Sequence, residues 1–199
     1  MPYETRGMYG ERSPEPERFS ADTWIERDIC DHEPWPFEDD QFDFAICSHT
    51  LEDVRDPIWV CSELNRVARA GYIEVPSRLE EQAWGVAGDF VGWSHHHWLC
   101  DVEDSRISFV LKPHVIHGIS RYYLEAPLGS TLTPEERVQT MFWEGGFEYE
   151  ERIFFVHDEL DQYLAGFVDA HRERLASRVP QPSLGARVRR RLRALGGGT

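Results

Sequence analysis

An α/β fold is what this sequence predicts, and three segments carry the prediction. The short apolar run "FDFAICS" (42–48), following the turn-forming "EDDQ", reads as a strand. "DPIWVCSELNRVARAG" then repeats Ile58, Cys61, Leu64 and Val67 at helical spacing, with Pro57 at the first helical position and Gly71 as the stop. "YIEVP" (72–76) reads as a second strand. Strand, helix and strand with short links make a βαβ unit, so the two strands should be parallel with a right-handed crossover. Both then end on the edge where open α/β sheets bind ligands, which places Ser48, His49 and Glu52 beside Glu74, Ser77 and Arg78.

The remaining elements follow in order. Residues 1–20 form a polar arm rich in Glu, Arg and Pro, without apolar periodicity. "TWIERDI" predicts a short strand ending at Asp28. After "YIEVP" comes an irregular stretch, then a hairpin in which Trp98, Cys100 and Val102 alternate, "DS" turns, and Ile107, Phe109 and Leu111 return. "TPEERVQTMFWEGG" predicts a helix with Thr133 as N-cap, Pro134 at N1 and Glu136 completing a capping box. "FEYEERIFFV" predicts a strand and "HDELDQYLAGFVDAHRERLAS" a final amphipathic helix. The α/β domain thus spans 21–178, and 179–199 is a basic tail. Arg187 to Arg193 of that tail suit an acidic partner, a membrane surface or the chain's own acidic body.

Composition narrows the function. At 199 residues the chain is long enough for one domain with a real core. A formal net charge of -15 argues against nucleic acid or anionic membrane as partner of the main body. The sequence contains neither a bilayer-length apolar run nor a signal peptide, so the expected compartment is the cytoplasm. Cys30, Cys47, Cys61 and Cys100 form no CxxC and read as reduced, mostly buried thiols.

"DICDHEPWPFEDDQFDFAICSHTLEDVRDPIWVCSELNRVARAG" resembles the second quarter of a class I S-adenosylmethionine-dependent methyltransferase, of the small-molecule kind often labelled type 11. Asp28, Pro36-Phe37, Phe42-Asp43, Ser48-His49, Leu51-Glu52, Glu63, Arg66-Val67 and Gly71 match in order and spacing. "TPEERVQTMFWEGGFEYEE" looks like the family's late helix and "GF" strand. The resemblance implies a partial Rossmann-like sheet with flanking helices, carrying an inserted β-hairpin and missing the N-terminal βαβ portion. It implies S-adenosylmethionine as cofactor, with Asp28, Ile29, Ser48 and His49 on its adenine side, and a small-molecule substrate. Three departures stand out. Asp53 replaces the usual His, and Tyr72 replaces a second Gly. The opening strand and glycine-rich loop are absent, since "RGMYGER" has Gly7 and Gly10 but no apolar strand before them. Cofactor binding is therefore expected to be weak or absent, and strands that lack their neighbours are expected to drive homo- or hetero-oligomer formation.

"SHHHW" lies in the insertion where that family builds its substrate wall. In an extended segment His95 and His97 would share one face, opposite His96. With no HxxxH or HExxH spacing, no metal is expected. His97, His95 and Glu74 are the candidate catalytic groups, a histidine serving as substrate-facing base or binder, against the alternative of a solvated loop. Trp84, Phe90, Trp93 and Trp98 could floor a pocket or close a core. The functional expectation is methyl transfer to a small molecule. The alternatives are a non-catalytic methyltransferase-fold interaction subunit or gene fragment, and a metal-dependent hydrolase built on the histidines.

Overall fold

The βαβ unit forms as the spacing predicts. In the computed structural model, which describes residues 20–180, β1 (Ala45–Ser48) leads through α1 (Pro57–Val67) to β2 (Ala70–Pro76). The two strands pair in parallel, Ala45 opposite Gly71 and Ser48 opposite Glu74. Asp56 caps α1 by accepting the Trp59 amide at 2.9 Å, and Pro57 occupies the first turn. Val60, Cys61, Leu64 and Val67 face the core, where they meet Cys47, Ile73, Val75 and Trp143. All four cysteines are free and buried, in line with reduced structural thiols. The polar arm up to residue 19, "RGMYGER" and the Arg-rich part of the tail lie outside the described residues.

α1 also anchors the chain that precedes β1. Arg66 grips Glu63 with two nitrogens (2.7 and 2.8 Å) and donates to the carbonyls of Trp35 and Phe37. Glu63 in turn accepts the Trp35 amide at 2.6 Å. The "E-x-x-R" spacing therefore serves as a clamp on the loop at 35–39.

Two predicted elements change. "TWIERDI" is no strand: Ala21–Thr23 is a single 3-10 turn, and 24–28 runs without a ladder. Among the described residues β1 pairs with β2 alone, and no strand pairs with this segment to extend the sheet. The predicted helix at 133–146 is also corrected. Its capping box exists, with Glu136 N donating to Thr133 Oγ1 and Thr133 N to Glu136 Oε2, but it closes only one turn. Val138–Glu144 then becomes β5, antiparallel to β2 from Pro76↔Val138 to Ala70↔Glu144. Tertiary pairing wins over local capping: the free edge of β2 takes up a full ladder, and period-2 alternation buries Met141 and Trp143.

Gly71, expected to stop the helix, sits inside β2. α1 ends at Val67 and Ala68 is already extended. A Cβ on Gly71 would lie 2.6 Å from a Trp143 ring carbon and 2.7 Å from the Ala45 carbonyl oxygen. Glycine is required here by close approach.

The first sheet has the order β1-β2-β5. The second is built on the predicted hairpin, β3 (Trp98–Glu103) and β4 (Arg106–Leu111), turning at Asp104, whose φ is 51°. β6 (Glu148–Glu151) joins β4 in parallel. Asn65 holds the approach to β6 by exchanging two hydrogen bonds with the Phe147 backbone. α2 (Arg78–Glu81) follows β2, α3 (Ala126–Gly129) precedes β5, and α4 (His157–Ala176) is the last helix among the described residues. The result is a mixed α/β architecture of two small mixed sheets and flanking helices, consistent with a partial Rossmann-like methyltransferase fold.

One face of the first sheet is not covered by core. Ile46, Tyr72 and Phe142 stand in register across it, Ile46 72 % and Phe142 74 % exposed. Substituting Gly71→Ala should destabilise the protein by about 2 kcal/mol, because the Ala45 carbonyl cannot move aside. Urea unfolding measures this, and a change under about 0.5 kcal/mol would contradict the packing described.

Candidate functional site

Strand geometry brings the predicted strand-end residues together. Ser48 Oγ donates to Glu74 Oε1 at 2.9 Å, and the Tyr72 hydroxyl donates to Glu74 Oε2 at 2.5 Å. These two bonds, Tyr72 first, hold the Glu74 carboxyl below the usual range. His49 extends the ladder with its amide on the Glu74 carbonyl and adopts a φ of 47°, unusual for a non-glycine residue. That turn sets its ring between two carboxylates, Nδ1 3.4 Å from Glu52 and Nε2 3.4 Å from Glu74. Glu52 above all raises the pKa of His49.

His49 opens onto a cavity of about 710 Å³ lined also by Glu52, Asp53, Trp93, His95 and His96, with an Arg137–Glu80 ion pair in the wall. The insertion reaches this cavity because β3 starts against the loop after β1. The amides of His97 and Trp98 both donate to the Glu52 carbonyl, and Trp98 Nε1 donates to the Val54 carbonyl. Gly92 lets the preceding loop lie on α2: its φ is 62°, and a Cβ there would be 2.5 Å from the Glu81 carbonyl oxygen.

The histidine alternation expected for an extended segment is corrected. Ser94 and His95 form a turn, so His95 and His96 stack edge to face at 4.5 Å on the cavity side. His97 is exposed and is not part of the cavity lining. His96 is buried, with Nδ1 2.7 Å from Glu81 Oε1, and Glu81 Oε2 takes Lys112 Nζ at 2.7 Å. Lys112 also donates to the Trp93 carbonyl. Glu81 is 1 % exposed, so this triad is an interior one.

Asp53, His95 and His96 each present a ligand atom within 4.8 Å of the others, a grouping that linear spacing did not reveal. Glu52 lies in the loop between β1 and α1. It is 1 % exposed and neither of its oxygens has a hydrogen-bond partner. Burial pushes the Asp53 carboxyl up, and its Oδ1 is likewise buried without a partner.

Other expected site residues are placed elsewhere. Asp28 accepts from the Cys30 amide at 2.9 Å and from Arg55 at 2.6 Å, bonds that hold its carboxyl below the usual range in that order. The Ile29 carbonyl accepts Trp35 Nε1. Arg78, expected at the cleft edge, is buried under α4, 3.7 Å from the Tyr163 ring centroid and 4.1 Å from that of Phe167. Of the four aromatics, Trp98 is core, Trp84 packs half-buried against the core cluster of Val91, Leu99 and Tyr122, Trp93 lines the cavity, and Phe90 is exposed.

Residues 11–73 match the family model described as a methyltransferase domain. The match ends inside β2 and covers β1, α1 and the Ser48-His49 strand end, so the resemblance to class I S-adenosylmethionine-dependent methyltransferases holds and the protein is methyltransferase-like. No curated protein and no solved structure matches the chain. No helix among the described residues is long and apolar enough to cross a membrane.

Replacing Lys112 by Met leaves the buried Glu81 carboxylate with His96 alone. Urea unfolding should register a loss of about 3–5 kcal/mol, and less for the Lys112→Met, Glu81→Gln double variant, whose amide needs no countercharge. Equal losses would mean that the ion pair does not set the stability.

Proposed function

We propose that the protein works as an S-adenosylmethionine-dependent methyltransferase-like protein whose acceptor is a small molecule bound in the cavity between His49 and His95. One juxtaposition carries this reading: the strand-end residues of a methyltransferase-like βαβ unit open onto the same cavity as His95 of the insertion. Methyl transfer is an in-line displacement that needs alignment of two reactants far more than covalent help. In this reading His95 is the acceptor-facing group. Glu74, ionised at neutral pH, positions His49 rather than taking a proton itself. His97 lies outside the cavity lining, so the acceptor role falls to His95.

The cofactor side is incomplete among the described residues. Both Asp28 oxygens and the Ile29 carbonyl are already bonded within the chain, and Ser48 Oγ is spent on Glu74. They do not form a full cradle for S-adenosylmethionine, so we assign no step through it. The affinity of this chain for it should be weak, with Kd of about 1 mM, roughly 4 kcal/mol. NMR titration with the cofactor should perturb the amides of Ile29, Ser48 and His49. Low-micromolar affinity would mean another segment supplies the cradle. Silence at those three amides at millimolar cofactor would remove the cofactor reading.

The exposed face of the first sheet favours a second reading, an interaction subunit. Phe44, Ile46 and Phe142 are solvent-facing beside a β1 edge that has no partner among the described residues. Sedimentation should detect self-association that the Ile46→Glu, Phe142→Glu variant abolishes; a clean monomer at high concentration would count against it.

A further inference from the structure

The buried carboxylate of Glu52, whose one ion-pair contact among the described residues is His49 at 3.4 Å, lies in the wall of a cavity that also receives His95, His96 and Asp53. An interior carboxylate with neither oxygen hydrogen-bonded is costly unless a positive charge compensates it. His49 approaches from one side only, at 3.4 Å. The same cavity is lined by three metal-type donors, Asp53, His95 and His96, all within 4.8 Å of one another.

We propose that Asp53, His95 and His96 bind a divalent first-row transition ion of the zinc class, with the charge of Glu52 behind it. The geometry of His96 is that of a ligand held by an outer partner. Glu81 accepts a hydrogen bond from Nδ1, which fixes the proton there and leaves the Nε2 lone pair free. That Nε2 is 3.8 Å from Asp53 Oδ1, too far for a hydrogen bond. Bonds of roughly 2.0–2.1 Å in a tetrahedral site put donors about 3.4 Å apart, so a modest rotation of the half-buried Asp53 and the exposed His95 side chains closes the set. Two imidazoles and one carboxylate suit zinc better than magnesium or calcium, which take all-oxygen sites. Three protein ligands leave one position open toward the cavity, the arrangement of a site that binds a water or an acceptor oxygen. His95 then meets an acceptor through the ion rather than as a free base, and Glu81 and Lys112 act as positioning residues. Metal binding is independent of whether methyl transfer occurs.

The test uses the full untagged chain, stripped with chelator and titrated with Zn²⁺ by calorimetry and with Co²⁺ by visible absorption. One equivalent of Zn²⁺ should bind with Kd near or below about 1 µM. Asp53→Asn and His95→Gln, both outside the core, should weaken it by roughly 100-fold and abolish the cobalt d–d bands while circular dichroism stays unchanged. His157→Gln, a surface histidine at the start of α4, should bind as the parent does. Binding weaker than about 100 µM, unaltered binding in Asp53→Asn and His95→Gln, or a preference for Mg²⁺ over Zn²⁺ would each overturn the assignment.

Discussion

The Glu81 carboxylate holds the functional half of this structure in place. It is interior, it sits on a helix of only four residues, and it reaches two other segments, His96 of the insertion and Lys112 at the end of β4. A lone carboxylate in that position would be unsustainable, so the three segments are bound to one another by the cost of separating them. The chain contains a single lysine, and it is spent here. The loop at 93–96 is thereby locked on the strand edge where the βαβ unit ends.

From that lock follows the arrangement of the cleft. His96 is pinned from behind, and the turn at Ser94-His95 brings the neighbouring ring onto it. β3 starts on the Glu52 carbonyl, which draws the whole insertion over the loop after β1. The Glu52 carbonyl thus accepts two amides, while its side-chain oxygens are buried with no hydrogen bond and only His49 close by, at 3.4 Å.

Much of the scaffold was legible in the sequence. The βαβ unit, the hairpin at 98–111 and the closing helix declare themselves through period and punctuation, and the strand-end residues follow from chain direction. The failures have physical causes. A capping box and a helical run at 133–146 gave way to β5 because the free edge of β2 could be satisfied only from outside its own segment. "TWIERDI" reads as a strand only while a neighbour for it is assumed. The donor set failed to appear because adjacent His95 and His96 converge through a turn, and because Asp53 is some forty residues away along the chain. The one sequence signal was Asp53 itself, at the position where the resembling family carries His.

The exposed sheet face and the cleft are not separate features. Ile46 and Ser48 alternate onto the same side of β1, as do Tyr72 and Glu74 on β2, so the apolar face runs into the Ser48–Glu74 pair that sits beside His49 at the cavity rim. Tyr72 joins the two: its ring packs on Phe142 at 4.8 Å and its hydroxyl bonds Glu74. A partner seated on Ile46 and Phe142 would adjoin Ser48 and Glu74, and by removing water there it would strengthen the charge interactions around His49. The Tyr72–Glu74 pair is thus where the enzymatic and the interaction readings of this protein touch: it borders the apolar face on one side and orients His49 on the other.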